Sequence, residues 1–286
     1  MAIPNKLRAI VERKRQEVRQ LDLPALKAIV TELTPEEERS FFYAIFQNNT
    51  SPNVIAEFKR TSPSRTEKEL GEFRPGADPA EIAKAYEQAG AVALSVLTDP
   101  DFNGSLDDLR RVKAATSLPV LRKDFIVDPA QIYESKVYGA DAILLIASIL
   151  KQEQLWDYLT LANNLNMDCL VESHNQADLE KAVKTPTVIF GINNRNLEDF
   201  TVSLDTTVDL LTPQDGKYHV PRGKPVVAES GIFSYADVEY LVGQAAKVGR
   251  KISAILVGTS LMDIEANPTI KDIQRKVYEL RGKGQE

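Results

Sequence analysis

From residue 53 onward the chain alternates short apolar runs with longer stretches whose apolar positions return at helical spacing. The runs cover 53–58, 92–97, 119–123, 141–146, 167–172, 187–193, 225–229 and 253–258. Short apolar runs separated by amphipathic segments are the mark of βαβ units and buried parallel strands. The amphipathic segments lie near 79–89, 106–115, 129–138, 151–164, 175–184, 203–211 and 235–247, with a last helix near 269–281. Eight strand–helix pairs predict one α/β domain, a closed (β/α)8 TIM barrel. An open doubly wound sheet shares this alternation, but the count and the length favour closure.

Ahead of the first run, Leu7, Ile10, Val11, Val18 and Leu21 stand among charges at helical spacing, which predicts an amphipathic helix over 5–20. A second helix is expected from Thr34-Pro35-Glu36-Glu37, with Thr34 as N-cap and proline in the first turn, running through Phe41, Phe42, Ile45 and Phe46. Residues 1–50 thus read as a helical extension packed on a barrel over 51–286. Two connections are long: 59–78, on the side where barrel enzymes hold substrate, and 212–224, on the opposite face.

Composition narrows the function classes. The balance of 43% hydrophobic and 27% charged residues in 286 is that of an ordinary globular domain. A net charge of −6 argues against nucleic-acid binding, although local loops can still supply a positive field for a small anionic substrate. The N-terminus carries Arg8, Glu12, Arg13, Lys14 and Arg15 instead of an apolar signal core, and no run is long enough to span a bilayer. A cytoplasmic protein with no membrane partner is expected. The single Cys169 lies in an apolar run and reads as a core residue. His174 and His219 are too far apart in the pattern for a metal cage, and His174 is expected in a loop near the mouth. Phosphate-loop motifs of nucleotide binders are lacking.

Chemistry gathers at the strand ends. The third run closes on Arg122-Lys123-Asp124, charges that a strand interior would not accept without a reason. Lys123, at the carboxyl end, is the first catalytic candidate; a solvated turn is the plain alternative. Strand one ends Glu57-Phe58-Lys59, with Glu57 and Lys59 on one face, either an ion pair beside substrate or a structural one. Strand five ends in Glu172, strand six in Asn193-Asn194-Arg195 and strand seven in Glu229-Ser230-Gly231. Folding alone hardly explains so many ionisable and amide groups in equivalent places. Gly258-Thr259-Ser260 after strand eight, beside Ser230-Gly231 after strand seven, is the layout of a phosphate site.

Taken together, Ile55–Ser64, Leu94–Asp99 with Phe102-Asn103-Gly104-Ser105, Leu121–Ile126, Leu170-Val171-Glu172, Gly191–Leu197, Ala228–Ile232 and Val257–Met262 resemble the indole-3-glycerol phosphate synthase family of tryptophan biosynthesis. The resemblance implies a barrel with an N-terminal helical extension, no cofactor and no metal. The implied substrate is a phosphorylated small molecule, 1-(2-carboxyphenylamino)-1-deoxyribulose 5-phosphate, closed to indole-3-glycerol phosphate with loss of carbon dioxide and water. It implies Lys123 as general acid, Glu172 as partner acid/base, Lys59 at the substrate carboxylate, and Glu57, Asn193 and Glu229 as orienting groups. Phe102, Phe125, Leu144 and Leu256 would form the slot for the aromatic ring, with Arg195 and Ser62 also at the substrate. Ser230, Gly231, Gly258 and Thr259 would hold the phosphate. Such a site is expected to lower the proton affinity of its catalytic lysine by burial or by a neighbouring cation. The first loop departs from the family, with Arg65-Thr66 where Lys-Gly is common and added residues before Asp78. Weak contact with other enzymes of the pathway is compatible with the chain.

Two other readings stand beside this one. Another phosphate-binding barrel enzyme, such as the phosphoribosylanthranilate isomerase of the same pathway, leaves Glu57, Lys59 and Lys123 unexplained. A barrel that only binds a phosphorylated ligand predicts that Lys59, Lys123 or Glu172 is replaced, and all three are present.

Overall fold

The computed structural model describes residues 5–34, 39–46, 52–61, 72–197, 199, 201–263 and 269–282. Its centre is a ring of eight parallel strands: β1 (Asn53–Phe58), β2 (Ala93–Leu97), β3 (Val120–Lys123), β4 (Ala142–Ile146), β5 (Asp168–Ser173), β6 (Ile189–Asn193), β7 (Val226–Glu229) and β8 (Ala254–Val257). Each strand pairs with the next, and β8 closes on β1 through the register Asn53 to Ala254. The expected strands fall within a residue or two of these bounds. The closed barrel decides against the open sheet.

The strands are legible because the barrel buries both of their faces: β1, β2, β4 and β6 have no residue outside the interior. Between them run α4 (Pro79–Gln88), α5 (Leu106–Ala115), α6 (Pro129–Val137), α7 (Gln152–Asn164), α8 (Gln176–Val183), α9 (Asp205–Leu211) and α10 (Tyr235–Lys247). A four-residue turn of helix, α11 (Thr259–Met262), and α12 (Ile270–Leu280) complete the series. Asp-Pro pairs start two of these helices. Asp78 and Asp128 accept a bond from an N–H of the first turn, and the following proline occupies a position that needs no donor.

The N-terminal region differs from expectation. After α1 (Asn5–Glu17) comes α2 (Leu23–Glu32), which the pattern did not predict, and then α3 (Phe41–Phe46). Thr34 caps neither of them, and Pro35, Glu36 and Glu37 lie outside the described residues. The helix α2 is set by Asp22, which accepts a bond from the Ala25 N–H, and by Pro24 in its first turn. None of its residues is buried, so its apolar stripe had no core to report. By contrast Leu7 and Val11 of α1, with Phe41 and Ile45 of α3, sink into the one continuous core.

Candidate active site

Strand alternation explains the charged run that ends β3. Lys123 turns into the barrel, while Arg122 and Asp124 turn outward beneath α6. There Arg122 donates to the Gln131 carbonyl and the Ser135 hydroxyl, and Asp124 accepts from Arg122 at 3.0 Å and from Thr98 at 2.6 Å. Burial opposes ionisation of Asp124, yet Arg122 and Lys14 hold its carboxyl below the usual range. Two of the three charges are therefore scaffold, and the inward one is the reactive candidate.

The inward positions of the other strands meet Lys123 at the floor of a cavity of about 550 Å³, within the range of small-molecule sites. Lys123 Nζ lies 3.5 Å from Glu172 Oε2 and 3.8 Å from Glu229 Oε2. Asn193 Nδ2 donates to the same Glu172 oxygen at 3.2 Å. Lys59 Nζ stands 3.5 Å from Glu57 Oε1 and donates to Thr259 Oγ1 at 2.8 Å. Glu57, Lys59, Lys123, Glu172, Asn193 and Glu229 thus share one mouth, as do Phe102, Phe125, Leu144, Arg195 and Leu256. Ser230, Gly231, Gly258 and Thr259 line it on the β7–β8 side. Ser62 lies outside the described residues. The loop after β1 is tied at its described ends, by Arg60 to Asp108 at 2.6 Å and by Arg74 to the Leu261 and Met262 carbonyls.

Two glycines keep room for the carboxylates. A Cβ on Gly191 would stand 2.4 Å from Glu229 Oε1, and one on Gly258 would stand 2.3 Å from Glu57 Oε1. Gly258 therefore makes space for the Glu57–Lys59 pair as well as lining the anion side.

The lysines part company in their affinity for protons. Burial lowers that of Lys59, Glu57 resists, and the cations Lys123 and Arg195 add to the fall. Burial acts the same way on Lys123, but Glu172, Glu229 and Glu57 outweigh it and hold its pKa above that of a free lysine. The expected lowering falls on Lys59 and not on Lys123. The carboxylates divide similarly. Burial disfavours the charge on Glu172, yet Lys123 and His174 keep it ionised. Burial and the neighbouring Glu172 charge push Glu229 well up, with Lys123 too weak to reverse them. Among the described residues neither carboxyl oxygen of Glu229 has a hydrogen-bond donor, so its own proton, directed to Glu172, is the bond it can make.

Three features escaped the sequence reading. His174 lies in the loop after β5, as expected, but it is turned inward: its side chain is only 5% exposed and Nε2 lies 3.1 Å from Glu172 Oε1. The extension supplies cavity wall, through Leu7 and Ile10 of α1. A buried ionic knot fixes that helix, with Lys14 Nζ 2.8 Å from both Asp99 and Asp124 and Arg13 donating to both oxygens of Asp99. The i, i+3 spacing of Leu7 and Ile10 showed an apolar face but not what that face would cover.

Likeness to known proteins agrees with this geometry. The family model for indole-3-glycerol phosphate synthase matches residues 7–273. An indole-3-glycerol phosphate synthase of Neisseria meningitidis serogroup B is 48% identical over 219 residues, 75% of this chain and 77% of the relative. One from Legionella pneumophila strain Paris is 45% identical over 235 residues, 82% of this chain and 84% of the relative. Among solved structures, a chain from the Pyrococcus furiosus tryptophan synthase complex superposes with a TM-score of 0.55 at 13% identity, covering 81% of this chain and 98% of its own. The N-acetylmannosamine-6-phosphate 2-epimerase of Clostridium perfringens gives 0.53 at 13%, covering 80% and 93%. At such identity these two speak for the barrel alone. The match across nearly the whole length, with relatives at 45–48% identity, settles descent: the chain belongs to the indole-3-glycerol phosphate synthase family.

Proposed function

We propose that the mouth described above performs the family's reaction with a definite division of labour. The activity is that of a carboxy-lyase of tryptophan biosynthesis, acting on a phosphorylated small molecule. The aromatic ring of 1-(2-carboxyphenylamino)-1-deoxyribulose 5-phosphate lies in the slot of Phe102, Phe125, Leu144 and Leu256, walled by Leu7 and Ile10. Its phosphate faces Ser230, Gly231, Gly258 and Thr259, and Arg195 and Lys59 meet its carboxylate. The extension over 1–50 and the barrel over 51–286 work as one unit.

The ring carbon that bears the carboxylate attacks the ketone, whose oxygen takes a proton from the Lys123 ammonium. Carbon dioxide then leaves, and its electron pair restores the aromatic ring. The new hydroxyl departs as water with a proton from Lys59, while Glu172 accepts the proton lost from the neighbouring carbon. Glu57 holds Lys59, Asn193 holds Glu172, and Glu229 remains a neutral acid beside them. The observation that carries this reading is Lys123 Nζ suspended between Glu172 and Glu229 on the cavity floor. We place the enzyme in the cytoplasm, in passing contact at most with other enzymes of the pathway. No helix among the described residues is long and apolar enough to cross a membrane.

The test is the rise of indole fluorescence, with one carbon dioxide released per product, when the protein meets this substrate. Removing the substrate phosphate should lower kcat/KM by about 10³-fold or more, as a lost set of charge-assisted bonds requires. Saturable binding with no product, or equal use of the dephosphorylated substrate, would overturn the reading.

A further inference from the structure

The tie between Glu172 and Glu229 is not broken by the lysine between them. Lys123 Nζ lies at nearly equal distances from the two, 3.5 and 3.8 Å, so its charge favours neither strongly. Two buried carboxylates around one cation share a proton unless something else decides which keeps it. His174 touches only one of them.

That histidine is built in from every side. Nε2 lies 3.1 Å from Glu172 Oε1, off the line of its N–H bond, so the contact is one of charge more than a straight hydrogen bond. Nδ1 is 3.3 Å from Ser148 Oγ, on the loop after β4, and 3.7 Å from Asp178 Oδ2, in the first turn of α8. Asp178 is itself fixed: it accepts from Ser148 Oγ at 2.5 Å, from the His174 backbone N–H at 3.2 Å and from Asn175 Nδ2 at 3.2 Å. Asn175, the cap of α8, in turn accepts a bond from the Asp178 N–H on its side-chain oxygen. The other charged groups of the site are Lys123 of β3, which meets Glu172, and Glu229 of β7, on which His174 acts less strongly than Glu172 does. An imidazole pressed between two carboxylates takes a proton on each nitrogen.

We propose that His174, held as an imidazolium by Asp178 and Ser148, is a positioning residue that keeps Glu172 ionised with Oε2 facing Lys123 and the substrate, and so leaves the shared proton on Glu229. The inference rests on the reading of Glu172 as the acid/base group. It is consistent with a His174 pKa raised to about 9 against the opposing effect of burial, by Glu172 first and Asp178 after it. His174 also reaches Glu229, but as the weakest of the influences on it.

Nitrogen NMR of the histidine-labelled protein tests this without any substitution, because the chain has only two histidines. His174 should show both ring nitrogens protonated at pH 8, and Glu172→Gln should return its titration toward the ordinary value of about 6.5. A neutral His174 ring at pH 7 in the wild type overturns the proposal. In the kinetic arm, His174→Gln should lower kcat about 10- to 100-fold, the usual effect of losing an orienting partner, with KM within about 3-fold. The acid limb of its kcat profile should move up by about one pH unit, because Glu172 then protonates more readily. A loss of kcat with the limb unmoved, or no loss, overturns the proposal by reducing His174 to packing. Wild-type turnover in Glu172→Gln would instead sink the Glu172 reading. An inactive Glu172→Gln beside an unshifted His174→Gln would sink this inference alone.

Discussion

Replacing Lys123 by methionine removes one charge at nearly constant volume, and its consequences for rate and for stability should diverge. At an effective dielectric near 20, a unit charge 3.5 Å from the ionised Glu172 Oε2 is worth about 5 kcal/mol before desolvation, while the neutral Glu229 carboxyl at 3.8 Å adds no second charge pair. Breaking a buried pair usually destabilises by about 3–5 kcal/mol, because a charge is left alone. Here it is not: Glu172 keeps His174 at 3.1 Å, and Glu229 carries its own proton. The loss of stability should therefore stay under about 2 kcal/mol, roughly 3 °C in Tm for a chain of this size. The rate has no such reserve. Loss of a positioned proton donor costs about 10²- to 10⁴-fold, and the same ammonium also steadies charge on the ketone oxygen, so kcat should fall by about 10⁴-fold, near 5.5 kcal/mol of barrier. KM should stay within about 5-fold, since ring slot and phosphate side are untouched. Single-turnover fluorescence with calorimetric substrate binding separates the two quantities. A fall in kcat of less than about 30-fold, or a loss of affinity that accounts for the fall, would refute Lys123 as the donor.

Three further substitutions probe the surroundings. Gly191→Ala places a methyl group 2.4 Å from Glu229 Oε1; overpacking of about 1–3 kcal/mol and a kcat lowered about 10-fold should follow, and unchanged melting and turnover would show that Glu229 has room to move. Lys14→Met strips the cation that lies 2.8 Å from both Asp99 and Asp124, so a loss of about 3 kcal/mol should appear in urea unfolding, with KM rising as the Leu7–Ile10 wall loosens. An unaltered KM would mean that α1 holds its place without the knot. Lys59 sheds its proton at lower pH than a free lysine, so the alkaline limb of kcat/KM should lie below the usual lysine range. Lys59→Arg, which stays charged, should carry that limb upward, and a limb that stays put belongs to another group.

The barrel was legible because closure buries both faces of every strand, so apolar runs such as Ala142–Ile146 stand out from any amphipathic stretch. The strand-end chemistry was legible for a related reason. Charge at the end of such a run, as at Glu57, Lys123 or Glu172, is costly unless it is used. What stayed hidden depends on distances between remote positions. Asp22, Pro24 and the spacing of Leu23, Leu26, Ile29 and Val30 are signals of α2, but a helix that buries none of its residues leaves them no core to point to. Nothing in Glu172-Ser173-His174 says that the imidazole turns back to the carboxylate, since that contact needs Asp178 and Ser148 behind it. Amphipathic spacing puts the charges of α1 away from its apolar face, yet Lys14 is buried because Asp99 and Asp124 meet it there.

The unequal lysines fit the order of the chemistry. Attack on the ketone creates an alkoxide, whose conjugate acid is about as weak as water. A donor to such an oxygen can hold its proton firmly and still deliver it, and what it chiefly needs is a permanent charge before attack begins. Lys123, whose charge is held chiefly by the ionised Glu172, meets that need. A hydroxyl leaving as water is a far poorer base, and its donor must part with a proton easily. Lys59, which meets one carboxylate and two cations, is biased that way. Exchanging the two environments should harm both steps, even with both lysines retained. Glu229→Lys would bring a second cation against Lys123 where Glu229 now stands, and should cost turnover well beyond the loss of one orienting carboxyl. Rapid quench should then show the ring-closure step slowed more than dehydration; slowing confined to dehydration would mean that the roles of Lys123 and Lys59 are reversed.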